Sequence, residues 1–160
     1  MNLIIMNRRG IIEWAKQPFT DTTAVISITD VGYPFAKLKH QPQYRLKVAF
    51  NDVDGEVFLD ELGPNPTNAE VKALEEKYQI LSDEQANRIA QFYFDAVLAE
   101  VNTFIVQCEY GQSRSAAVVA AIREYESKDG ITIFADDRYY PNKAVFRKVL
   151  RELHMQVGKK

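Results

Sequence analysis

The segment VNTFIVQCEYGQSRSAAVVAAI, residues 101–122, joins an apolar run, a short polar loop and a second apolar run. Residues 101–107 are rich in β-branched and aromatic side chains, which favours a buried strand. Residues 116–122 are apolar on every side, which suits a helix that is packed on several faces. The segment therefore predicts a strand that runs through the loop 108–113 into a buried helix.

Strand and helix patterns alternate along the rest of the chain, so we expect a single domain over residues 1–160. Strand patterns occupy residues 3–6, 24–29 and 44–50, and helix patterns occupy residues 10–16, 67–78, 82–97 and 143–156. Gly130 is expected to cap the helix that contains residues 116–122. The alternation predicts a three-layer α/β sandwich with a central, mostly parallel sheet of about four to five strands and helices on both faces.

Composition excludes several classes of protein. Lys and Arg number 20 and Asp and Glu number 22, and a net charge of −2 argues against a protein that coats nucleic acid or an anionic membrane. No segment approaches the about 20 apolar residues that a membrane helix needs. The only cysteine, Cys108, excludes an internal disulfide and a cysteine-based zinc site. We expect a cytoplasmic protein without a bound metal.

Three reactive side chains follow predicted strands. Asp30, Asp52 and Cys108 each come just after the C-terminal end of a strand pattern. In parallel α/β sheets, ligands bind at the carboxyl ends of the strands. We therefore expect the chemistry at this edge of the sheet.

The loop after residue 107 has the composition of an anion site. Backbone N–H groups of a tight loop and of a helix start can together bind an anion. Gly111 allows a backbone conformation that other residues resist. Arg114 can direct a planar fork of donors at two phosphate oxygens. Such a positive field favours the thiolate of Cys108, which could then attack phosphorus. Ser115 could donate a hydrogen bond to the sulfur. The alternative is an inert, buried structural cysteine.

Cys108, Gly111, Arg114 and Ser115 together resemble the signature of the cysteine-dependent protein tyrosine phosphatases: Cys, five residues, Arg and then Ser. The compact, dual-specificity-like branch of that superfamily is the nearest match. Residues 26–30 resemble its early strand, residues 49–53 resemble the strand and Asp that carry its general acid, and residues 137–147 are similar to the C-terminal part of small bacterial and phage members.

The resemblance implies a phosphomonoester hydrolase, a protein tyrosine or dual-specificity phosphatase that acts through a phosphocysteine intermediate. It implies no metal or organic cofactor, a phosphorylated protein or peptide as substrate, and neither nucleic acid nor membrane as partner. The implied catalytic residues are Cys108, Arg114, Asp52 and Ser115. The implied phosphate-binding residues are Glu109, Tyr110, Gly111, Gln112, Ser113 and Arg114.

Several assignments stay open at this point. Asp54 is the alternative general acid to Asp52, and either carboxylate could instead hydrogen-bond its own turn. Asp30 is expected to close a turn rather than to take part in chemistry. Asn142 is expected to be a helix N-cap, with a brace behind the loop as the alternative. Tyr110 either stacks on a substrate ring or covers the loop.

Two features depart from the resembled family. The family usually has His before the cysteine, and Gln107 stands there, which can form hydrogen bonds but carries no charge. This departure motivates a second hypothesis, a catalytically weak pseudophosphatase that binds phosphorylated partners. The segment 55–81 is also longer than expected, and it forms either a lid or partner surface or an insertion without a catalytic role.

Overall fold

A sheet of four parallel strands organises the protein. The computed structural model describes residues 1–53 and 60–157. The strands are β1 (Asn2–Met6), β2 (Thr23–Thr29), β3 (Tyr44–Ala49) and β4 (Thr103–Gln107), in the order β1-β4-β2-β3 with every pairing parallel. The predicted α/β class with a central parallel sheet is confirmed.

Helices cover both faces of the sheet. They are α1 (Arg8–Trp14), α2 (Asn68–Tyr78), α3 (Asp83–Leu98), α4 (Arg114–Ser127), α5 (Ile131–Phe134) and α6 (Lys143–Val157). On one face, Ile11 of α1 packs in a small core cluster with Val25 and Ile105. On the other face, α3, α4 and α6 form the main core with Ile26 and Phe104. Within the described residues, no helix has the length and apolarity needed to cross a membrane.

Helix starts follow the caps that the sequence indicates. The Ser82 hydroxyl accepts from the Gln85 backbone N–H at 3.1 Å, and the Gln85 side chain accepts from the Ser82 backbone N–H at 3.0 Å. Thr67 accepts from the Glu70 backbone N–H at 3.1 Å in the same way. Because these caps satisfy N–H groups that have no partner inside the helix, they set the starts of α3 and α2.

The predicted buried helix is α4. Every residue from 114 to 122 is buried, because α4 lies between the sheet and α6. Val149 and Leu153 of α6 are fully buried on its outer side. Helix α4 therefore starts from within the core, which holds its first turn in a fixed position relative to the strand ends.

The end of β4 lies at a switch point of the sheet. Strands β1 and β4 are neighbours, but the helices that follow them, α1 and α4, pack on opposite faces of the sheet. A crevice opens outside the carboxyl ends of two such strands, and α/β proteins commonly bind ligands there. Cys108 follows β4 at this point, so the predicted loop lies where parallel α/β sheets commonly bind ligands.

Gly130 has a different role from the one expected. Helix α4 ends at Ser127, and the left-handed residue at its C-terminus is Lys128, with φ 57°. Gly130 precedes α5 with φ −61°, a conformation open to any residue. A Cβ atom on Gly130 would lie 2.7 Å from the Ala120 carbonyl oxygen. The expected C-cap role is wrong, because close approach of α5 to α4 requires this glycine.

Two substitutions test this assignment by thermal or urea unfolding. Gly130→Ala should lower the free energy of unfolding by about 1–3 kcal/mol, because the added methyl group meets a backbone oxygen. Lys128→Gly should raise it by up to about 1 kcal/mol, because glycine adopts the left-handed conformation without strain. An unchanged free energy of unfolding in Gly130→Ala would contradict the close approach of α5 to α4.

Candidate active site

The Cys108 loop, residues 108–113, is fastened to the junction of β1 and α1. The Cys108 backbone N–H donates to the Met6 carbonyl at 3.2 Å, and the Arg8 backbone N–H donates to the Glu109 carbonyl at 3.1 Å. The loop therefore continues the pairing of β4 with β1 beyond the end of the sheet.

Gly111 lies where the loop backbone contacts this junction most closely. Its φ is 66°, in the left-handed region that favours glycine. A Cβ atom would also lie 2.7 Å from the Asn7 backbone nitrogen and 2.8 Å from the Met6 carbonyl carbon. Both the conformation and the space therefore require glycine, as the loop pattern predicts.

Cys108 and Ser115 lie in contact at the base of the loop. The thiol is nearly buried, with 2% of Cys108 exposed, and Ser115 is fully buried in the first turn of α4. The Cys108 Sγ and Ser115 Oγ atoms are 3.0 Å apart. The hydroxyl can therefore donate a hydrogen bond to an anionic sulfur, as the sequence predicts.

Arg114 is buried at the start of α4 and has an unused donor. Its side chain is 5% exposed, and its Nη1 atom donates to Asp30 Oδ1 and to the Phe50 carbonyl oxygen, each at 2.7 Å. Its Nε atom is buried and has no hydrogen-bond partner among the described residues. Since an unsatisfied buried N–H costs about 1–3 kcal/mol, an oxyanion bound beside Arg114 would relieve this cost.

Asp30, which the sequence places at this edge as a turn residue, also binds Arg114. Its carbonyl oxygen accepts from the Tyr33 N–H at 3.1 Å, so it does close the expected turn. Its carboxylate also forms the ion pair with Arg114. The available signal was the position of Asp30 just after β2, since the ends of parallel strands share one edge.

Asp52 lies at the rim of the Cys108 loop. Its Oδ1 atom accepts from the Ser113 hydroxyl at 2.9 Å and from the Asn142 side-chain amide at 2.7 Å. The other candidate acid, Asp54, lies outside the described residues. Asp52 is thus joined directly to the loop by a hydrogen bond.

Ser113 does not cap α4 with its side chain. It occupies the N-cap position, but its hydroxyl makes no hydrogen bond to the helix backbone. Serine at this position ordinarily accepts from a first-turn N–H group. The first-turn N–H groups of α4 therefore have no side-chain cap, and they can bind an anion.

Gln107 supports the loop from the end of β4. It is 2% exposed, and its Nε2 atom donates to the Cys108 carbonyl oxygen at 2.9 Å. An uncharged amide at this position therefore fixes the carbonyl group of the neighbouring cysteine by a hydrogen bond. The side-chain oxygen, Oε1, is buried and has no partner among the described residues.

The remaining loop side chains point to different surroundings. The Glu109 carboxylate pairs with Arg8 at 3.1 Å, and Tyr110 is 77% exposed. The Gln112 carbonyl oxygen accepts from the Tyr140 N–H at 2.8 Å. The Glu109 side chain is thus engaged with Arg8, so a contact of this residue with phosphate would come from its backbone N–H group.

Other polar candidates lie apart from this cluster. Glu61 pairs with Lys77 at 3.0 Å, and the ring of His154 packs against Tyr125. His40 bonds to the Ala15 carbonyl at 3.1 Å. Within residues 1–53 and 60–157, no group of three or more His, Cys, Asp or Glu side chains is arranged to hold a metal ion.

The sequence matches no protein-family model, and no curated protein matches it either. The argument for function therefore depends on the geometry of the site. That geometry combines a thiol, a hydroxyl beside the sulfur, an unused guanidinium donor and a carboxylate at the rim.

The requirement for Gly111 can be tested with a matched glycine. Gly111→Ala should lower the free energy of unfolding by about 2–4 kcal/mol and abolish binding of tungstate, a phosphate mimic, because strain and a backbone clash act together. Gly32 also has a positive φ, 86°, but a Cβ atom there would meet nothing within 4 Å. Gly32→Ala should therefore cost only about 1 kcal/mol. Equal losses in the two variants, measured by urea unfolding, would contradict the close approach at Gly111.

Proposed function

We propose that the protein is a phosphomonoester hydrolase, a protein tyrosine or dual-specificity phosphatase that acts through a phosphocysteine intermediate. The observation that carries the proposal is the buried Nε donor of Arg114, unpaired beside a loop that holds Cys108 against Ser115. A buried donor without a partner next to a nucleophile indicates a site for an anionic substrate.

In the first step, the Cys108 thiolate attacks phosphorus in line with the ester oxygen. A sulfur–phosphorus bond forms as the phosphorus–oxygen bond breaks, and the leaving oxygen takes a proton from Asp52. Arg114 and the N–H groups of the loop stabilise the negative charge on the three remaining phosphoryl oxygens.

In the second step, water attacks the phosphocysteine. Asp52, now a carboxylate, removes a proton from the water as the new phosphorus–oxygen bond forms. The sulfur–phosphorus bond breaks, and Ser115 donates a hydrogen bond to the departing thiolate. The step yields inorganic phosphate and restores the starting protonation state.

The substrate we propose is a singly phosphorylated protein or peptide. The five residues between Cys108 and Arg114 include no Lys or Arg, and their only charged residue, Glu109, is paired with Arg8. Such a loop offers no extra cation for a second phosphate group. A thiolate nucleophile works in a reducing compartment, so we place the protein in the cytoplasm.

A second candidate is a pseudophosphatase that binds phosphorylated partners without hydrolysis. Gln107 favours it, because an uncharged amide occupies the position of the histidine usual in the resembled phosphatases. The two candidates differ in one measurement, the release of phosphate from a peptide that the protein binds.

The first test is hydrolysis of p-nitrophenyl phosphate by the reduced protein with no metal ion added. We expect turnover that vanadate inhibits, and Cys108→Ser should lower kcat/KM by about 10⁴-fold or more, because the nucleophile is lost. Because the chain has one cysteine, one equivalent of iodoacetate should inactivate it, and phosphate should protect. Phosphopeptide binding without phosphate release would instead support the pseudophosphatase.

The identity of the general acid is tested by comparing Asp52→Asn with Asp54→Asn. Asp52→Asn should lower kcat/KM for phenyl phosphate, whose leaving oxygen needs a proton, by about 10²-fold or more. The alkaline limb of the pH–rate profile, which reports deprotonation of the general acid, should be absent in the Asp52→Asn variant. If only Asp54→Asn has these effects, Asp54 is the acid.

A further inference from the structure

Asn142 lies where three parts of the site meet. Its backbone N–H donates to the Ser113 carbonyl oxygen at 3.2 Å. Its side-chain Nδ2 atom donates to Asp52 Oδ1 at 2.7 Å and to the Val53 carbonyl oxygen at 3.2 Å. Its side-chain oxygen accepts from the Val145 N–H at 3.1 Å, which caps α6. The residue thus connects the rim carboxylate, the Cys108 loop and the start of a core helix.

We propose that Asn142 is the positioning residue for the general acid, and that it acts together with Ser113. This inference rests on the proposed function, since it assigns a role in the same reaction. Asn142 does not touch the reacting atoms. It holds Asp52 in the orientation from which the proton is delivered.

The hydrogen bonds distinguish the two oxygens of the Asp52 carboxyl group. Oδ1 accepts from both Ser113 and Asn142, whereas Oδ2 has no partner among the described residues. A protonated carboxyl group accepts hydrogen bonds best at its carbonyl oxygen, so the two donors assign that role to Oδ1. The proton is then carried by Oδ2, and it is this oxygen that delivers it to the leaving group.

The same two hydrogen bonds strengthen as the proton leaves. Negative charge develops on the Asp52 carboxylate during proton transfer, and hydrogen bonds to an ionised acceptor are stronger than those to a neutral one. Ser113 and Asn142 therefore stabilise the transition state of this step more than the ground state, which is the condition for raising the rate.

Ser113 supplies an independent indication of this role. Serine at a helix N-cap ordinarily accepts a hydrogen bond from the helix, but the Ser113 hydroxyl is turned away and donates to Asp52. In addition, the Asn142 backbone N–H donates a hydrogen bond to the Ser113 carbonyl oxygen. Both donors to the acid thus belong to one hydrogen-bonded unit.

The capping role and the positioning role of Asn142 use different atoms, so they can be separated. Asn142→Ser keeps an oxygen that can cap α6, but the short side chain has no amide to donate to Asp52. Asn142→Asp also keeps the cap, and it replaces the donor by a second carboxylate beside Asp52. Neither substitution removes the start of α6.

The test is the dependence of the rate on the leaving group. Protonation matters little for p-nitrophenyl phosphate, whose leaving group is a stable anion, and matters greatly for phenyl phosphate. Asn142→Ser should lower kcat/KM for phenyl phosphate about tenfold more than for p-nitrophenyl phosphate, the effect of one charge-assisted hydrogen bond. Asn142→Asp should show the same selectivity to a greater degree.

Two further variants serve as controls. Ser82→Ala removes a helix cap away from the site, so it should destabilise the protein while leaving the ratio of the two rates unchanged. Adding Asn142→Ser to Asp52→Asn should cause little further loss with phenyl phosphate, because a positioning residue has no role once its acid is gone.

The outcomes separate this inference from the proposed function. If the wild-type protein hydrolyses neither ester, the proposed function fails and this inference fails with it. If Asp52→Asn shows the leaving-group effect but the Asn142 variants lose both activities equally, or lose neither, only the positioning role is overturned. If the rate losses of Asp52→Asn and Asn142→Ser with phenyl phosphate were fully additive in the double variant, the positioning role would be overturned as well.

Discussion

The buried guanidinium of Arg114 is the group on which the geometry of the candidate site depends. A buried charge is costly unless it is paired, and Asp30 and the Phe50 carbonyl oxygen supply the partners at 2.7 Å. These acceptors lie just after β2 and β3, so pairing the charge also fixes how the start of α4 meets the ends of two strands. The Nε donor is buried and has no hydrogen-bond partner among the described residues.

The anion affinity of such a site does not require a basic protein. Arg114 and Arg8 are each paired with a carboxylate, and the net charge of the chain is −2. In the proposed function, the positive potential would come instead from the loop backbone, the first-turn N–H groups of α4 and the Arg114 guanidinium. These groups act over a few ångströms, so the proposed anion site would not need a basic surface.

Much of the fold and part of the site could be predicted from local sequence. β2 and the caps at Ser82 and Thr67 agree with the patterns, because periodicity and capping depend on residues within one or two turns. The pairing of Arg114 with Asp30 could not be predicted from spacing, since 84 residues separate them. Gly130 was assigned wrongly for a related reason: its contact with Ala120 exists only once α4 and α5 have packed.

Local sequence therefore predicts the order of the elements, a strand, the Cys108 loop and a buried helix. It also predicts the residues of the candidate site that lie in that segment, Cys108, Gly111 and Arg114. Tertiary structure alone establishes what surrounds these residues. It places Asp52 against Ser113 and Asn142, and it pairs the carboxylate of Asp30, which also closes a turn, with Arg114. The reason is physical: the order of parallel strands decides which strand ends are neighbours, and that order is set by long-range packing of the core.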